Sequence, residues 1–431
     1  MAETCRAGSS AGFAWALFEE WRQAGLPAKE SWILHALGVL GDDGTVRRLT
    51  PVLRDWPGEG AHHRAVEGLD VLAAIGTDVA LLHLHGIAQR VKFKALKVRA
   101  QEKIAEVAEH LGLTAEQLAD RLVPDLGLGP DGTTVIDYGT RRFTVGFDEQ
   151  LRPFVRDGDG RRRKELPAPG ARDDQELAAA ERKRFTALKK DVRTTAADQI
   201  RRLEAAMVAQ RTWTAVEFGA LFVDHPLVRH LAGRLVWLAD GADGTTTAFR
   251  TAEDRTFADV TGEAFVLPGN ATVRLPHPLH LGEQSAAWSA VFAEHGILQP
   301  FRQLDRPVRR LTPSEADSNR LHRFEGCTVP VGRLLGLTKR GWERGEPLDN
   351  GIERWFSKRL ADGCHLVIQL NEGIWVAVVG EYSDQTFETV WLDVAPRDHL
   401  GSRHEYPLRF GELDRIVASE LLADLEEVTA R

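Results

Sequence analysis

The chain has 431 residues, 43% hydrophobic and 27% charged, a composition that excludes a disordered or fibrous protein. At roughly 150 residues per domain, this length implies two to four domains. Lysine and arginine number 55 against 63 aspartates and glutamates, a net charge of −8, which argues against a globally basic nucleic-acid binder but leaves local basic patches open.

Residues 11–122 carry mostly helical apolar spacing. Phe13, Leu17, Phe18 and Trp21 predict one face, stopped by Gly25-Leu26-Pro27. Trp32, Ala36, Leu37 and Leu40 predict a second helix, and Val46, Leu49, Val52 and Leu53 a third. Ala65, Leu69, Leu72 and Ala73 lead to Gly76, after which Asp78 is placed to cap a helix holding Ala80, Leu81, Leu84 and Ile87. A basic helix follows at 91–111 with Ile104, Val107, Ala108 and Leu111, and Thr114 with Gln117 spells a capping box. Helices this short must bury their faces on neighbours. Successive antiparallel pairs do so by stacking, and residues 73–81 resemble the junction between two HEAT-like pairs. The stack begins near residue 11 without a polar capping repeat, which predicts that the native helical region extends further N-terminally.

A break at 126–132 leads to strand spellings at 133–138, 142–147 and 151–156, a three- or four-stranded antiparallel meander with Val135, Phe143, Val145, Phe147 and Phe154 expected on its apolar face. Asp157-Gly-Asp-Gly160 has the look of a calcium loop, but Ala168 stands where the closing glutamate belongs. The run Arg161, Arg162, Arg163, Lys164 precedes a proline-rich linker. A long helix then runs from Asp173 to about Gln210, its apolar stripe Phe185, Leu188, Val192, Ala196, Leu203 and Met207. Between positions 182 and 202 this helix carries eight basic and two acidic residues, Lys189, Lys190 and Arg193 among them. Such a face suits a phosphate backbone. The absence of interleaved aromatics favours a plain solvated surface.

From 212 onward short helices (216–222, 227–231, 285–295) alternate with strands (235–238, 246–251, 264–267, 271–275). Strands at 364–370, 373–379 and 389–394, anchored by Trp375, Val378 and Trp391, precede a closing helix at 410–428 bearing Leu413, Ile416, Leu421, Leu422 and Leu425. That end is acidic, with seven acids and three bases from Glu405 onward, and is available to complement the 182–202 face. The fold class is α+β: an N-terminal HEAT-like helical repeat stack, then a mixed domain with antiparallel sheet and a long helix. The expected division is 1–125 helical stack, 126–170 meander and linker, 171–345 α+β domain, and 346–431 C-terminal strands and closing helix.

Several segments are specific in their letters: 185–193, His225-Pro-Leu-Val-Arg-His230 with Arg234-Leu-Val-Trp237, His277-Pro-Leu-His280, Ile297-Leu-Gln-Pro-Phe-Arg-Gln-Leu304, Arg323-Phe-Glu-Gly326, and 332–337 with Arg340-Gly-Trp342. Together they resemble the bacterial MolR-like domain of unknown function, over about residues 30–425. The resemblance implies a helical-repeat N-terminal region. It also implies a setting near MoxR-type AAA+ ATPases and von Willebrand A proteins, hence an ATPase-linked stress or conflict system. It supplies no catalytic residues, so none is assigned here.

The fifteen histidines form only poor local ligand pairs. His225 and His230 lie about 140° apart on a helix, and a zinc site needs three or four ligands. His225 and His277, each before proline, are expected to fix loops through backbone hydrogen bonds. No Walker A run, nucleophile elbow or dinucleotide fingerprint occurs. No metal or cofactor is therefore assigned, and the reading leans away from an enzyme. Arg333, Arg340, Trp342, Arg354 and Trp355 place arginines beside tryptophans and form the best candidate binding surface, the alternative being core tryptophans under snorkelling arginines. His225, His277 and Arg323 are the residues to watch for a polar pocket. Three isolated cysteines, Cys5, Cys327 and Cys364, fit a reducing cytoplasm. Neither a signal sequence nor an apolar run of roughly 18 residues is spelled, so no membrane is expected. The expected function is a non-catalytic adaptor or scaffold for protein partners. The rivals are a nucleic-acid-binding regulator using Arg161–Lys164 and the long basic helix, and an enzyme with a pocket in the α+β domain.

Overall fold

A computed structural model describes residues 7–91, 93–163, 165–348, 351–360, 363–375, 384–395 and 408–430. Lys164 and Val378 lie outside the described residues. The architecture is α+β, and the chain divides into two units, 1–129 and 130–431.

The first unit holds α1 (Ala7–Gln23), α2 (Trp32–Leu40), α3 (Asp43–Asp55), α4 (His62–Ile75), α5 (Asp78–Arg90), α6 (Lys94–His110) and α7 (Ala115–Arg121). Their ends follow local chemistry. Asp42 caps α3 by accepting from Thr45 N at 2.9 Å. Gly76 ends α4 in the left-handed region at φ 63°, which glycine adopts without a Cβ penalty. The cap of α5 is Thr77, accepting from Ala80 N at 3.2 Å, one residue earlier than the expected Asp78. The capping box of Thr114 and Gln117 is complete.

The apolar faces are rotated from the expected ones at two helices. In α1 the buried residues are Ala11, Ala14, Phe18 and Trp21, while Phe13 is 67% exposed. In α2 they are Ile33, Leu34 and Leu37, while Trp32 is 57% exposed. Leu111 also faces solvent. The small residues let α1 settle closely, so that Phe18 stands 6.0 Å from Trp21 and 6.2 Å from Trp56, centroid to centroid. The expected stripes of α3 to α5 hold: Val46, Leu49, Leu53, Leu69, Leu72, Leu81, Leu84 and Ile87 are buried.

In the second unit β1 (Thr133–Asp137), β2 (Arg142–Phe147), β3 (Pro153–Arg156) and β4 (Arg162–Arg163) form an antiparallel meander in sequential order. Ile136 pairs with Phe143, and Val145 with Val155. Those four, with Phe147, are buried. Val135 pairs with Thr144 and Phe154 with Gly146. The two-residue pleat therefore puts Val135 and Phe154 on the opposite face from the one expected. Asp157-Gly-Asp-Gly160 is a hairpin turn, in which Asp157 accepts from Arg161 N at 2.9 Å and pairs with Arg163.

Helix α8 (Gln175–Val208) is capped by Asp174, which accepts from Leu177 N at 2.9 Å. Asp173, the expected start, is instead a buried carboxylate that pairs with Arg141 and accepts from Thr140 Oγ1 and Gly170 N, each at 2.6 Å. These donors hold it well below the usual carboxylate range. The expected stripe of α8, Phe185 to Met207, is buried throughout.

A six-stranded antiparallel sheet follows, made of β5 (Thr212–Thr214), β6 (Trp237–Asp240), β7 (Thr246–Thr251), β8 (Phe257–Ala258), β9 (Ala264–Phe265) and β10 (Thr272–Arg274), in the order β5-β10-β6-β7-β8-β9. Between its first two strands lie α9 (Ala215–Phe218), continued by a π turn, and α10 (Arg229–Ala232). Trp213, Phe218, Phe222, Trp237 and Phe249 stack edge to face around it. After it come α11 (Pro278–Leu281) and α12 (Gln284–Glu294), which buries Trp288 and Phe292.

Then come α13 (Pro313–Ala316), β11 (Thr328–Pro330), α14 (Val331–Gly336), β12 (Glu343–Arg344), β13 (Ile352–Arg359), β14 (His365–Trp375), β15 (Asp384–Asp393) and α15 (Arg415–Thr429). These strands form a third antiparallel sheet, β11-β15-β14-β13-β12. The strands expected at 364–370 and from 373 are one strand with a bulge. Trp391 is buried as expected, but Trp375 is 38% exposed.

Gly68 in α4 meets α3 without room for a side chain: a Cβ there would lie 2.1 Å from Leu53 Cδ2, and Leu53 is fully buried. Gly68→Ala is expected to lower stability by roughly 1–2 kcal/mol, overpacking outweighing the gain in helix propensity. Urea denaturation checks this. With Leu53→Ala added, the combined loss should be smaller than the sum of the two single losses, and additive losses would contradict the packing account.

Candidate functional site

Of the arginines and tryptophans singled out in the sequence, Arg323, Arg333, Arg340 and Trp342 meet α15 or its C-terminal end. Asp424 accepts from Trp342 Nε1 at 2.9 Å, from Lys358 Nζ at 2.8 Å and from Arg340 Nη1 at 3.1 Å. Arg340 also reaches Glu427. Arg323 pairs with Glu315 at 2.9 Å and lies 3.7 Å from Glu426, which Arg309 also holds. Arg333 donates to the Ala430 carbonyl. Trp342 is buried, as is Trp355, which packs with Val367 and Trp391 and leaves no space for a side chain on Gly345. Arg354 stands apart, half-buried, with its stem against Gly373. The structure thus brings Arg323, Arg333, Arg340 and Trp342 against one acidic helix, Trp342 in the core and the three arginines at the surface around it. Asp424, Glu426 and Glu427 of α15 meet these cations.

Arg306 carries this lattice onward. It donates to Glu420 at 2.7 and 2.5 Å and to Glu204 of α8 at 2.6 Å. These donors, with His277, outweigh burial and hold the Glu420 carboxyl down at about 2. His277 is fully buried; its Nδ1 accepts from Leu279 N at 3.2 Å, which leaves Nε2 facing Glu420 Oε1 at 3.4 Å. His225 Nδ1 accepts from Leu227 N and Val228 N at 3.1 and 3.2 Å. Both histidines before proline therefore brace loops. Burial among Arg229 and Arg234 pushes His230 down to about 4.

Among the described residues no group of three or more His, Cys, Asp or Glu side chains is spaced to hold a metal ion, and no helix is long and apolar enough to cross a membrane. An open groove on the first unit is lined by Asp70, Lys103, Glu106 and His110, but its Lys103 ammonium is already held by Asp70 at 2.9 Å and Glu106 at 2.6 Å.

A group of cations outside such pairs lies on the meander and α8. Arg163 is tied to Asp157, and Lys189 Nζ sits 5.1 Å above the Phe185 ring. Lys190 and Arg193 are exposed, with no ion-pair partner among the described residues, and so are Arg156 and Arg161. Among the described residues Arg162 has only Asp148, at 3.9 Å. On the open face of the meander, Phe154 is flanked by the guanidiniums of Arg156 and Arg162, 5.0 and 5.3 Å from its ring centroid. Sequence reading missed this trio by placing Phe154 inside. The signal was the alternation itself, since Val155 and Val145 claim the inner face.

The depressed Glu420 carboxyl ties stability to pH. Its contribution, on the order of 3 kcal/mol, is complete above the unfolded value near 4.5 and is lost as pH falls toward about 2. Urea midpoints measured from pH 6 to pH 3 should fall for the native chain and fall less steeply for Glu420→Gln, which should also be the less stable of the two at pH 7. Parallel curves would contradict this role.

Residues 160–342 match a family model described as Domain of unknown function (DUF4132). The chain is 41% identical over 345 residues to "Uncharacterized protein YehI" of Escherichia coli (strain K12), an alignment covering 79% of this chain and 28% of that protein's length. No solved structure gives a significant match.

Proposed function

We propose that the chain is a non-catalytic adaptor or scaffold that holds a protein partner on its helical unit. The observation that carries this reading is the solvent face of α2. Trp32 and Val39, seven residues apart and so on one line of the helix, are 57% and 79% exposed, while Ile33, Leu34 and Leu37 fill the core side. A helix that is apolar on both sides belongs inside a protein or against another one. HEAT-like stacking of the helix pairs would set such a stripe along an extended flank. The MolR-like resemblance supplies the partner class, a MoxR-type AAA+ ATPase or a von Willebrand A protein in an ATPase-associated stress or conflict system. The free thiols of Cys327 and Cys364 accord with a reducing cytoplasm.

A photo-crosslinking amino acid in place of Val39, in the native host, is expected to give a discrete protein adduct absent when Glu109, exposed on α6, is replaced instead. Trp32→Glu with Val39→Glu should reduce partner recovery about tenfold or more, as loss of a central apolar anchor does, with an unchanged circular dichroism spectrum. Equal adducts from both positions, or none from position 39, would refute the reading.

A further inference from the structure

We infer that the open face of the four-stranded meander is a binding platform for single-stranded nucleic acid, with Phe154 as the stacking residue and Arg156 and Arg162 as the backbone-contacting residues.

The pleat builds this face. Register places Val135, Thr144, Arg156 and Arg162 in one row across all four strands, and Gly146 beside Phe154 in the next. No carboxylate stands in either row. Gly146 has no room for a side chain, since a Cβ would meet Phe154 Cζ at 2.9 Å, so the ring lies down over the sheet instead of standing off it. Arg156 and Arg162 are exposed. They sit over the ring by cation–π attraction, and among the described residues only Asp148, 3.9 Å from Arg162, competes for them. Guanidiniums held this loosely exchange readily for a ligand, unlike Arg306 or Arg340, which are committed to carboxylates.

An aromatic ring flat on an antiparallel sheet, with loosely held arginines one strand spacing apart, matches what an unpaired base and its flanking phosphates need. A duplex keeps its bases stacked within itself, out of reach of a flat sheet. An acidic polypeptide would engage the arginines and leave the ring without a purpose. The inference does not depend on the adaptor reading, which rests on α2 in the other unit.

The test is fluorescence anisotropy of the full chain with a labelled oligouridylate of about 12 nucleotides, within the site sizes of comparable platforms, across a salt series. Binding is expected to weaken with salt. Phe154→Ala should weaken it roughly 5- to 100-fold and Phe154→Trp should retain it. Arg156→Ala with Arg162→Ala should flatten the log–log salt slope by about 1.4, two phosphate contacts' worth for a single strand. A duplex of the same length and polyglutamate should both bind more weakly. No binding at low salt, unchanged affinity in these variants, or polyglutamate binding as tightly as the oligonucleotide would each overturn the proposal. Should Phe154→Ala fail to fold, the arginine pair, both on the surface, decides alone.

Discussion

The second unit depends on how α15 is buried. Its apolar row, Leu421, Leu425 and Val428, enters the core of the third sheet, and the neighbouring row Glu420, Asp424 and Glu427 is carried along. Glu420 and Asp424 end at 9% and 7% exposure. A carboxylate so placed is strongly unfavourable unless cations and donors meet it. Arg306, Arg340, Lys358 and Trp342 do so from segments 66 to 114 residues away in the chain. Removing one partner leaves the other charge stranded, so the lattice specifies where α15 docks more than it adds stability.

That lattice explains which parts of the molecule were legible in the letters. Features written within one turn of the chain read correctly: the capping box at Thr114, the buried stripe of α8, and the loop-bracing role of His225 and His277. Arg333, Arg340 and Trp342 read as a candidate binding surface, and local spacing is silent on their partners, which lie 82 to 97 residues along the chain. A trace existed in the i, i+4, i+7 row of acids on α15, an odd face for a helix whose other side is core. Errors of face at Phe13, Trp32, Val135 and Phe154 share another cause. An apolar residue exposed beside a buried stripe has the same spelling as one inside it, and only packing decides. The two-residue strands β8 and β12 are too short to show any period.

Subtraction then identifies what is free to act. Arg156, Arg161, Lys190 and Arg193 are exposed without an ion-pair partner among the described residues, and Arg162 is nearly so; all five lie on the meander and α8. Among apolar groups, Trp32 and Val39 are exposed on a helix that already fills the core with its other side. The two surfaces lie in different units and use different physics, one area-driven and insensitive to salt, the other electrostatic.

The net charge of −8 therefore says little about partners. A sum over the chain weights an acid locked against Arg306 equally with one in solvent, whereas an approaching anion responds to the charges within about a Debye length that remain uncompensated. On the meander face the nearby acids Asp137, Asp148 and Asp157 are occupied by Arg142, Arg152 and Arg163, so the field there is set by the arginines over Phe154. An acidic protein can in this way keep a cationic face, provided its acids are spent inside, and α15 is where this chain spends them.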